Sequence, residues 1–490
     1  MYAAATSVAL VGGDARAVRV EAHVGRQQDA FKLSGLPDTA VREAKDRVRA
    51  AVASTGIRFP NRTVIVNLAP ADLPKGGTDY DLPIALGILA ASREIPDLQK
   101  AVFVGELTLD GGVRPGTNAF GAGVLSARGK VPCLVASSVA GEAATIPGAR
   151  AYGVSSLAEA IDLLRRGLDD IEPAAPAVSA PADPGPDLSD IRGQAVARRA
   201  LEIAAAGGHH VLFYGPPGSG KTMLARRIIG ILPRLEVDQA VETAMLWAAA
   251  GRRRGLDRTP PFRAPHHTAS KAALVGGGSG NPVPGEVSLA HHGVLFLDEL
   301  AEFPRGHLDT LRQPLEEGMV SVARRGMSID FPASFQLVAA TNPCPCGYHG
   351  DSRRPCDCRV AARARYRARI SGPLVDRFDL IVHVGRVEPD EYSGPPGEAS
   401  SAVATRIEAA RAIQLDRGTI NRHGPRDDTG ESVEARGLIT AAVGRGIVTA
   451  RGADRVRRVA RTIADLAGVE RVEEQHVAEA VGLRGEWRDD

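Results

Sequence analysis

Aromatic side chains are scarce: Phe, Tyr and Trp make up 4% of the 490 residues, and Trp occurs twice. So little ring surface argues against a base-stacking platform as the main binding device. An excess of one charge is lacking too. Sixty Lys and Arg nearly cancel 58 Asp and Glu, leaving +2, so any contact with nucleic acid must come from a local patch rather than an overall basic coat. No run approaches the ~18 apolar residues of a membrane-spanning helix, and residues 1–10 have no basic segment leading into an apolar one. Of five cysteines, Cys133 stands alone and four crowd between Cys344 and Cys358, unlike a secreted disulfide framework. These absences predict a cytoplasmic chain without a membrane segment.

What is present divides the chain. Residues 171–186, IEPAAPAVSAPADPGP, repeat Pro and Ala with almost no large apolar side chain. Such a stretch cannot fill a core and is expected to be an extended spacer. Before it, strand-like runs at 17–24, 63–68, 101–104 and 133–136 alternate with helix-like runs at 39–54, 82–91 and 119–127, the pattern of an α/β or α+β domain. After it, helices are expected at 189–206 and 223–232, and short buried strands at 211–214, 293–297 and 336–340. Strands separated by helices predict a parallel sheet covered on both faces. Past about residue 387 strand signals fade and 400–415, 431–443 and 449–466 read as helices. The expected organisation is therefore 1–170, a spacer at 171–186, a core at 187–386 and a helical domain at 387–490.

Gly215, Pro216, Pro217, Gly218, Ser219, Gly220, Lys221 and Thr222 fit G-x-x-x-x-G-K-[ST] between an expected strand and an expected helix, the context that makes this pattern a phosphate loop. Glycines let backbone N–H groups turn towards phosphate oxygens, and the helix N-terminus adds a favourable field. Lys221 would reach the β- and γ-phosphates of ATP, and Thr222 would ligate Mg²⁺. A Gly-rich turn that binds nothing is the plain alternative. The apolar run 293–297 ends in Asp298 and Glu299, placing two carboxylates at the sheet's carboxyl edge, where ligands bind. Asp298 can hold Mg²⁺ through water and Glu299 can deprotonate an attacking water, unless the pair only caps a helix. A third strand ends at Asn342, suited to the γ-phosphate or the lytic water, although Thr-Asn is also ordinary turn chemistry. Together these residues predict an ATP hydrolase.

Longer motifs carry a family resemblance. AATNPCPCG at 339–347, SGPLVDRFD at 371–379, RAPHHTAS at 263–270, GEVSLAHHGVLFLDEL at 285–300 and RVARTIADL at 458–466 closely resemble the ComM/YifB family of magnesium-chelatase-like AAA+ proteins, linked to DNA handling in natural transformation. The resemblance spans nearly the whole chain. It implies a three-layer AAA+ core with a helix-2 insert and a C-terminal helical lid, working as a ring, commonly a hexamer, with ATP at each subunit boundary. It makes Arg377 the arginine finger, a type of residue worth ~10³–10⁵ in rate in other NTPases. It makes Arg451 the sensor-2 arginine, with Arg455 the next candidate, and places Gln194 beside the adenine. For each arginine a solvated helix face is the alternative.

Residues 320–331 alternate on both sides of Arg324-Arg325-Gly326, as a hairpin with a basic tip would. In related helicases a pore hairpin sits here, and Arg324 and Arg325 would touch DNA phosphates without reading sequence. A surface hairpin kept soluble by its arginines is the alternative. The Gly/Ser-rich 276–284 is a second pore-loop candidate. Cys344, Cys346, Cys356 and Cys358 form two C-x-C pairs, which suit a structural tetrahedral Zn²⁺ or remain free thiols. The His-His pairs at 209–210, 266–267 and 291–292 are poor chelators if they lie in strands, where neighbours point to opposite faces.

Residues 67–86 and 105–115 resemble the Lon-protease-type fold (the ribosomal S5 domain 2-like fold). Active members pair a serine nucleophile with a lysine, but Asp79 and Phe120 occupy those positions. No peptidase activity is expected; a structural, ring-organising or substrate-contacting role is. The whole chain thus reads as a ring-forming ATPase acting on single-stranded or branched DNA, a helicase promoting branch migration in homologous recombination, with recombination proteins as partners. The alternative is a chelatase-type or protein-remodelling ATPase acting on a protein.

Overall fold

The computed structural model describes the chain except residues 26–29, 36–38, 72, 74, 97, 99, 169, 178–184, 279–281, 325–326, 425–429, 486 and 488–490. Among the described residues, no helix is long and apolar enough to cross a membrane.

The N-terminal unit is a seven-stranded sheet in the spatial order Ala30–Ser34, Thr63–Ala69, Asp14–Val24, Tyr2–Val11, Val102–Phe103, Pro132–Ala136, Arg150–Val154. The long strands Tyr2–Val11 and Asp14–Val24 pair antiparallel in register from Tyr2 opposite His23 to Val11 opposite Asp14. The turn between them is Gly12-Gly13, at φ +62° and +85°, a left-handed conformation that favours glycine. The expected helices appear as Thr39–Ser54, Asp81–Ala91 and Ala119–Gly129, and every residue of Asp81–Ala91 is buried. Residues 2–11 carry no clear strand signal of their own, because small Ala and Ser side chains blur the alternation; pairing with Asp14–Val24 makes them a strand.

The expected spacer is partly absorbed by this unit. Ala174 N donates to Ala151 O (2.8 Å) and Ala177 N to Gly141 O (2.9 Å). Proline removes only its own donor, so the alanines between prolines still pair with neighbouring backbone.

The core that follows is a five-stranded, all-parallel sheet in the order Phe262–Arg263, Val294–Leu297, Gln336–Thr341, Val211–Tyr214, Leu380–His383. Val211–Tyr214, first in sequence, therefore lies between the fourth and fifth strands. Apolar clusters cover both faces. Two expected helices are shorter than anticipated. The run 189–206 is a 3₁₀ turn at Leu188–Asp190 and then a helix at Ala195–Gly207, interrupted where Gly193 and Gln194 take φ +61° and +51°. The run 223–232 is a helix at Lys221–Arg227 followed by a 3₁₀ turn at Ile228–Gly230.

Helices Ser400–Asp416, Val433–Gly444, Ala450–Leu466 and Glu474–Gly482 build the C-terminal unit. It is not purely helical: after the last helix Arg484 bridges in parallel to Ile381, and Gly485 N donates to Ile381 O (2.9 Å), joining the unit to the edge of the core sheet. Its internal hub is Asp465, 2% exposed. The carboxylate accepts from Arg417 (2.5 and 2.9 Å), Asn421 Nδ2 (2.7 Å) and Arg461 Nε (3.1 Å). Removing one partner of a buried charge network leaves the others uncompensated. Asp465→Ala is therefore expected to destabilise the helical unit by about 3–5 kcal/mol, read as an early step in urea-induced loss of helical circular dichroism.

Candidate nucleotide site

Three strand ends converge on one edge of the core sheet. At the end of Val211–Tyr214, Gly215 N donates to Thr341 O (3.3 Å), and a Cβ on Gly215 would lie 2.0 Å from Val384 O. The loop must be glycine there to pass between the neighbouring strands. Gly218 and Gly220 take φ +77° and +90°, with open space where a Cβ would point; backbone conformation, not crowding, requires glycine at both. The helix Lys221–Arg227 then starts with its N-terminus at the loop, the arrangement that suits an anion.

Lys221 is buried, and its Nζ donates to the carbonyls of Gly215 and Pro216 (2.8 Å each). Burial lowers its pKa to about 8, with the charge of Asp298 opposing. Thr222 Oγ1 donates to Asp298 Oδ2 at 2.8 Å, and Glu299 N donates to Asp298 Oδ1 at 3.0 Å. Glu299 sits at φ +52°, an uncommon conformation for a residue other than glycine that turns the chain sharply off the strand. Its exposed carboxylate lies 3.4 Å from His267 Nδ1. Asn342 directly follows the strand Gln336–Thr341. A Cβ on Gly347 would come within 2.7 Å of Pro217 and 3.9 Å of Asn342 Cγ, so the phosphate loop, Asn342 and the cysteine loop meet here. Gln194 Nε2 donates to Gly385 O (2.7 Å) and lies 3.4 Å from Ser219 O, holding the back of the phosphate loop. The donors, the Thr222–Asp298 oxygen pair and the open loop fit a Mg²⁺-nucleotide; the Glu299 carboxylate is exposed beside them, against His267.

Two residues of this neighbourhood carried no assigned role in the sequence reading. His267 belongs to the RAPHHTAS motif, which gave it a signal. His383 ends the strand Leu380–His383, with its ring 5.3 Å from that of Tyr214; burial and then the charge of Lys221 lower its pKa. A histidine ending an apolar strand gives no warning of such a neighbour.

Arg377 and Arg451 lie elsewhere in the chain, together. With Glu316, Arg422, Arg455 and Arg458 they line a cleft of about 570 Å³. Arg377 pairs with Glu316 and donates from Nη1 to Pro373 O (2.6 Å). Arg455, the reserve candidate for sensor 2, is committed to structure. Its Nη1 contacts Asp379 Oδ1 (2.6 Å) and Arg377 O (3.0 Å). Burial alone would raise the Asp379 carboxyl, but the His209 ring at 3.7 Å and the Arg455 guanidinium hold it well below the carboxylate range.

The four clustered cysteines converge as well, with Sγ atoms within 4.8 Å of one another. Cys344–Cys346, Cys344–Cys356 and Cys346–Cys356 are 3.3, 3.7 and 3.6 Å apart. Four sulfurs about 2.3 Å from a tetrahedral Zn²⁺ would be about 3.8 Å apart, so the cluster, with Cys358, fits that ion.

None of the histidine pairs lies in a strand, and the pair at 291–292 converges on one carboxylate. His291 and His292 precede the strand rather than lie in it, and His292 takes φ +57°. Both rings swing to one side, 3.8 Å apart, and reach Glu242 Oε2 at 3.3 and 2.7 Å. His291 Nδ1 accepts from Ser334 N (2.9 Å), so its Nε2 carries the proton given to Glu242. The trio is a hydrogen-bonded clasp. Those bonds, from His291 first and His292 second, hold Glu242 well below the carboxylate range.

In the N-terminal unit Asp79 is 1% exposed and accepts from Thr117 N (3.2 Å). Its Oδ1 has no partner among the described residues, and burial raises its pKa to about 6. Phe120 is buried.

Comparison with known proteins agrees with this architecture. Family models described as "Magnesium chelatase, subunit ChlI" match residues 187–392, "Subunit ChlI of Mg-chelatase" 20–136, and "Magnesium chelatase, subunit ChlI C-terminal" 397–484. Competence protein ComM of Haemophilus influenzae is 41% identical over 98% of this chain and 96% of its own length. The chain belongs to the ComM/YifB family of magnesium-chelatase-like proteins. YifB of Escherichia coli is 40% identical over 97% of this chain and 96% of its own length. Lon protease 2 of Bacillus subtilis is 31% identical over 32% of this chain and 33% of its own length, a likeness assigned to the N-terminal region. Family membership makes the chain an ATPase of the AAA+ class.

The lowered pKa of Lys221 has a measurable consequence. A phosphate-bound amine must be protonated, whereas the free protein loses that proton above about pH 8. ATP affinity should be flat below pH 8 and then weaken by about tenfold per pH unit. Titrations with ATP from pH 7 to 9.5 test this, and Lys221→Arg, which keeps its charge, should flatten the profile.

Proposed function

We propose that this chain is a ring-forming ATPase that couples ATP hydrolysis to translocation on, or remodelling of, DNA, as a helicase promoting branch migration in homologous recombination. The observation that carries the reading is the antiparallel hairpin Met319–Arg324 and Met327–Pro332, whose second strand leads within a few residues into the strand that Asn342 follows. A segment so placed can pass a pull between the nucleotide edge and whatever its turn touches. Arg324 ends the first hairpin strand; Arg325 lies outside the described residues. Both are assigned to phosphate contact without sequence readout, on single-stranded or branched DNA. The Gly/Ser-rich 276–284 is kept as a second grip, although 279–281 lie outside the described residues.

In this reading ATP and Mg²⁺ supply the transferred phosphoryl group and the neutralising charge. Thr222 and Asp298 hold the metal, Lys221 and the loop N–H groups orient the phosphates, Glu299 takes the proton of the attacking water and Asn342 orients that water. Gln194 borders the adenine. Arg377 and Arg451, sharing one cleft, serve the nucleotide of a neighbouring subunit in a hexamer. The word "competence" in the name of the Haemophilus relative supports a role in natural transformation, in the cytoplasm, beside recombination proteins. With Asp79 and Phe120 in place of a serine–lysine pair, the N-terminal unit has no peptidase activity. Cys344, Cys346, Cys356 and Cys358 bind a structural Zn²⁺ that pins the loop after Asn342. The match to magnesium chelatase models favours one second reading, an ATPase that drives a metal-insertion partner.

Steady-state ATPase with single-stranded, duplex and branched DNA at two salt concentrations separates these. Wild type should be stimulated by DNA, less so at high salt; Arg324→Ala/Arg325→Ala should lose the stimulation and Glu299→Gln at least 100-fold of all turnover. Turnover lost in Glu299→Gln but indifferent to every DNA would move the substrate to a protein. Elemental analysis should find one zinc per chain, absent from Cys346→Ser/Cys356→Ser; a metal-free wild type would remove the zinc assignment.

A further inference from the structure

The hairpin does not stand free of the N-terminal unit. A Cβ on Gly12 would lie 2.5 Å from Asp330 O, and a Cβ on Gly13 would lie 2.7 Å from Leu246 Cδ2. The Gly12-Gly13 turn is thus pressed against the backbone of the hairpin's second strand and against the helix Val237–Ala249. Asp330 pairs across the hairpin with Ser321, whose Oγ donates to its carboxylate (2.6 Å). Val11, just before the turn, packs against the cluster that contains Val320, Val322, Ile329 and Phe331.

A second contact lies beyond the same helix. Arg253 Nη2 donates to Gly116 O (3.0 Å) and Pro115 O (3.3 Å). Asp79 backs this loop: its carboxylate fills the space that a Cβ on Gly116 would need, and accepts from Thr117 N. The residue standing where a peptidase would have its nucleophile therefore shapes a docking loop for the ATPase core. The middle of the helix bridges both units, since Ala244 and Met245 join an apolar cluster of the N-terminal unit while Glu242, on the same stretch, clasps His291 and His292 ahead of the strand leading to Asp298. A cleft of about 330 Å³ is lined by Gly77, Thr117 and Asn118 of the N-terminal unit and by Val283, Ile329 and Phe331 of the core.

We propose that the N-terminal unit is a brace for the hairpin: the Gly12-Gly13 turn holds its second strand in place, and the Arg253 contact holds the helix beside it. Only the functional consequence rests on the reading of the hairpin as the DNA grip; the brace acts on residues 319–332 whatever they grip. Contact through packed elements with defined positions is the kind of network that carries coupling.

The test is Gly12→Ala against Gly56→Ala. Gly56 lies in the same unit at φ +77°, but a Cβ there meets nothing within 4 Å, so it carries similar backbone strain without the contact. Amide hydrogen exchange across 319–332 reads the brace without DNA. Gly12→Ala should speed exchange there at least tenfold, with Gly56→Ala like wild type. Basal kcat and KM for ATP should stay within twofold, while DNA stimulation falls at least threefold. Arg253→Ala, which removes an exposed side chain, should raise exchange at 319–332 to a smaller degree and serves if Gly12→Ala does not fold. Unchanged exchange in the folded variants would overturn the brace. Faster exchange with full DNA stimulation would overturn its coupling role. A wild type that ignores DNA would defeat the DNA reading, while exchange alone would still decide the brace.

Discussion

The hydrogen bond from Thr222 Oγ1 to Asp298 Oδ2, 2.8 Å long, joins two residues 76 positions apart, and it depends on the order of strands in the core sheet. Val211–Tyr214 must lie beside Gln336–Thr341, and Val294–Leu297 beside that strand in turn, all running the same way. Only then do the phosphate loop, the carboxylate pair and Asn342 arrive at one edge. Gly215 shows how tight the arrangement is: its N–H faces Thr341 and no Cβ fits against Val384. A parallel sheet whose first strand is inserted between later ones creates this crevice, and the glycine loop exploits it.

The arginine cleft depends on a different buried constraint. Asp379 is fully desolvated yet charged, and Arg455 satisfies it while also holding the carbonyl of Arg377. Holding that carbonyl fixes the Arg377 segment in the cleft it shares with Arg451. The cleft sets five arginines beside the carboxylates of Glu316, Asp376 and Asp454, an excess of positive charge that favours an anion. Asp465 performs a comparable task in the helical unit, where three neighbours converge on one carboxylate. Both are buried charges whose worth lies in fixing geometry rather than in net stability.

The N-terminal unit is similar to a Lon protease relative, and its loops touch the ATPase core. Asp79, pushed up to about 6 by burial, accepts from Thr117 N and fills the space beside Gly116, backing a loop that faces the ATPase core. The cysteine loop is likewise woven in, with Gly347 closing on Pro217. There a loop remote in sequence reaches the nucleotide edge.

The residues themselves determined the local elements and the chemistry of the phosphate loop. The helix at Thr39–Ser54, the strands at Val211–Tyr214 and Val294–Leu297, and the Gly-rich loop with Lys221 and Thr222 are all legible, because apolar period, glycine and proline act within a few residues. The strand Tyr2–Val11, the break at Gly193-Gln194 and the joint histidine clasp on Glu242 are not, because each depends on a partner far along the chain. The same reason hid the roles of Asp79, Arg253 and Gly12. Glycine at position 12 reads as an ordinary turn until tertiary packing brings Asp330 against it. Burial and proximity are properties of the folded whole, and they decided which arginines line the cleft and which are buried as anchors.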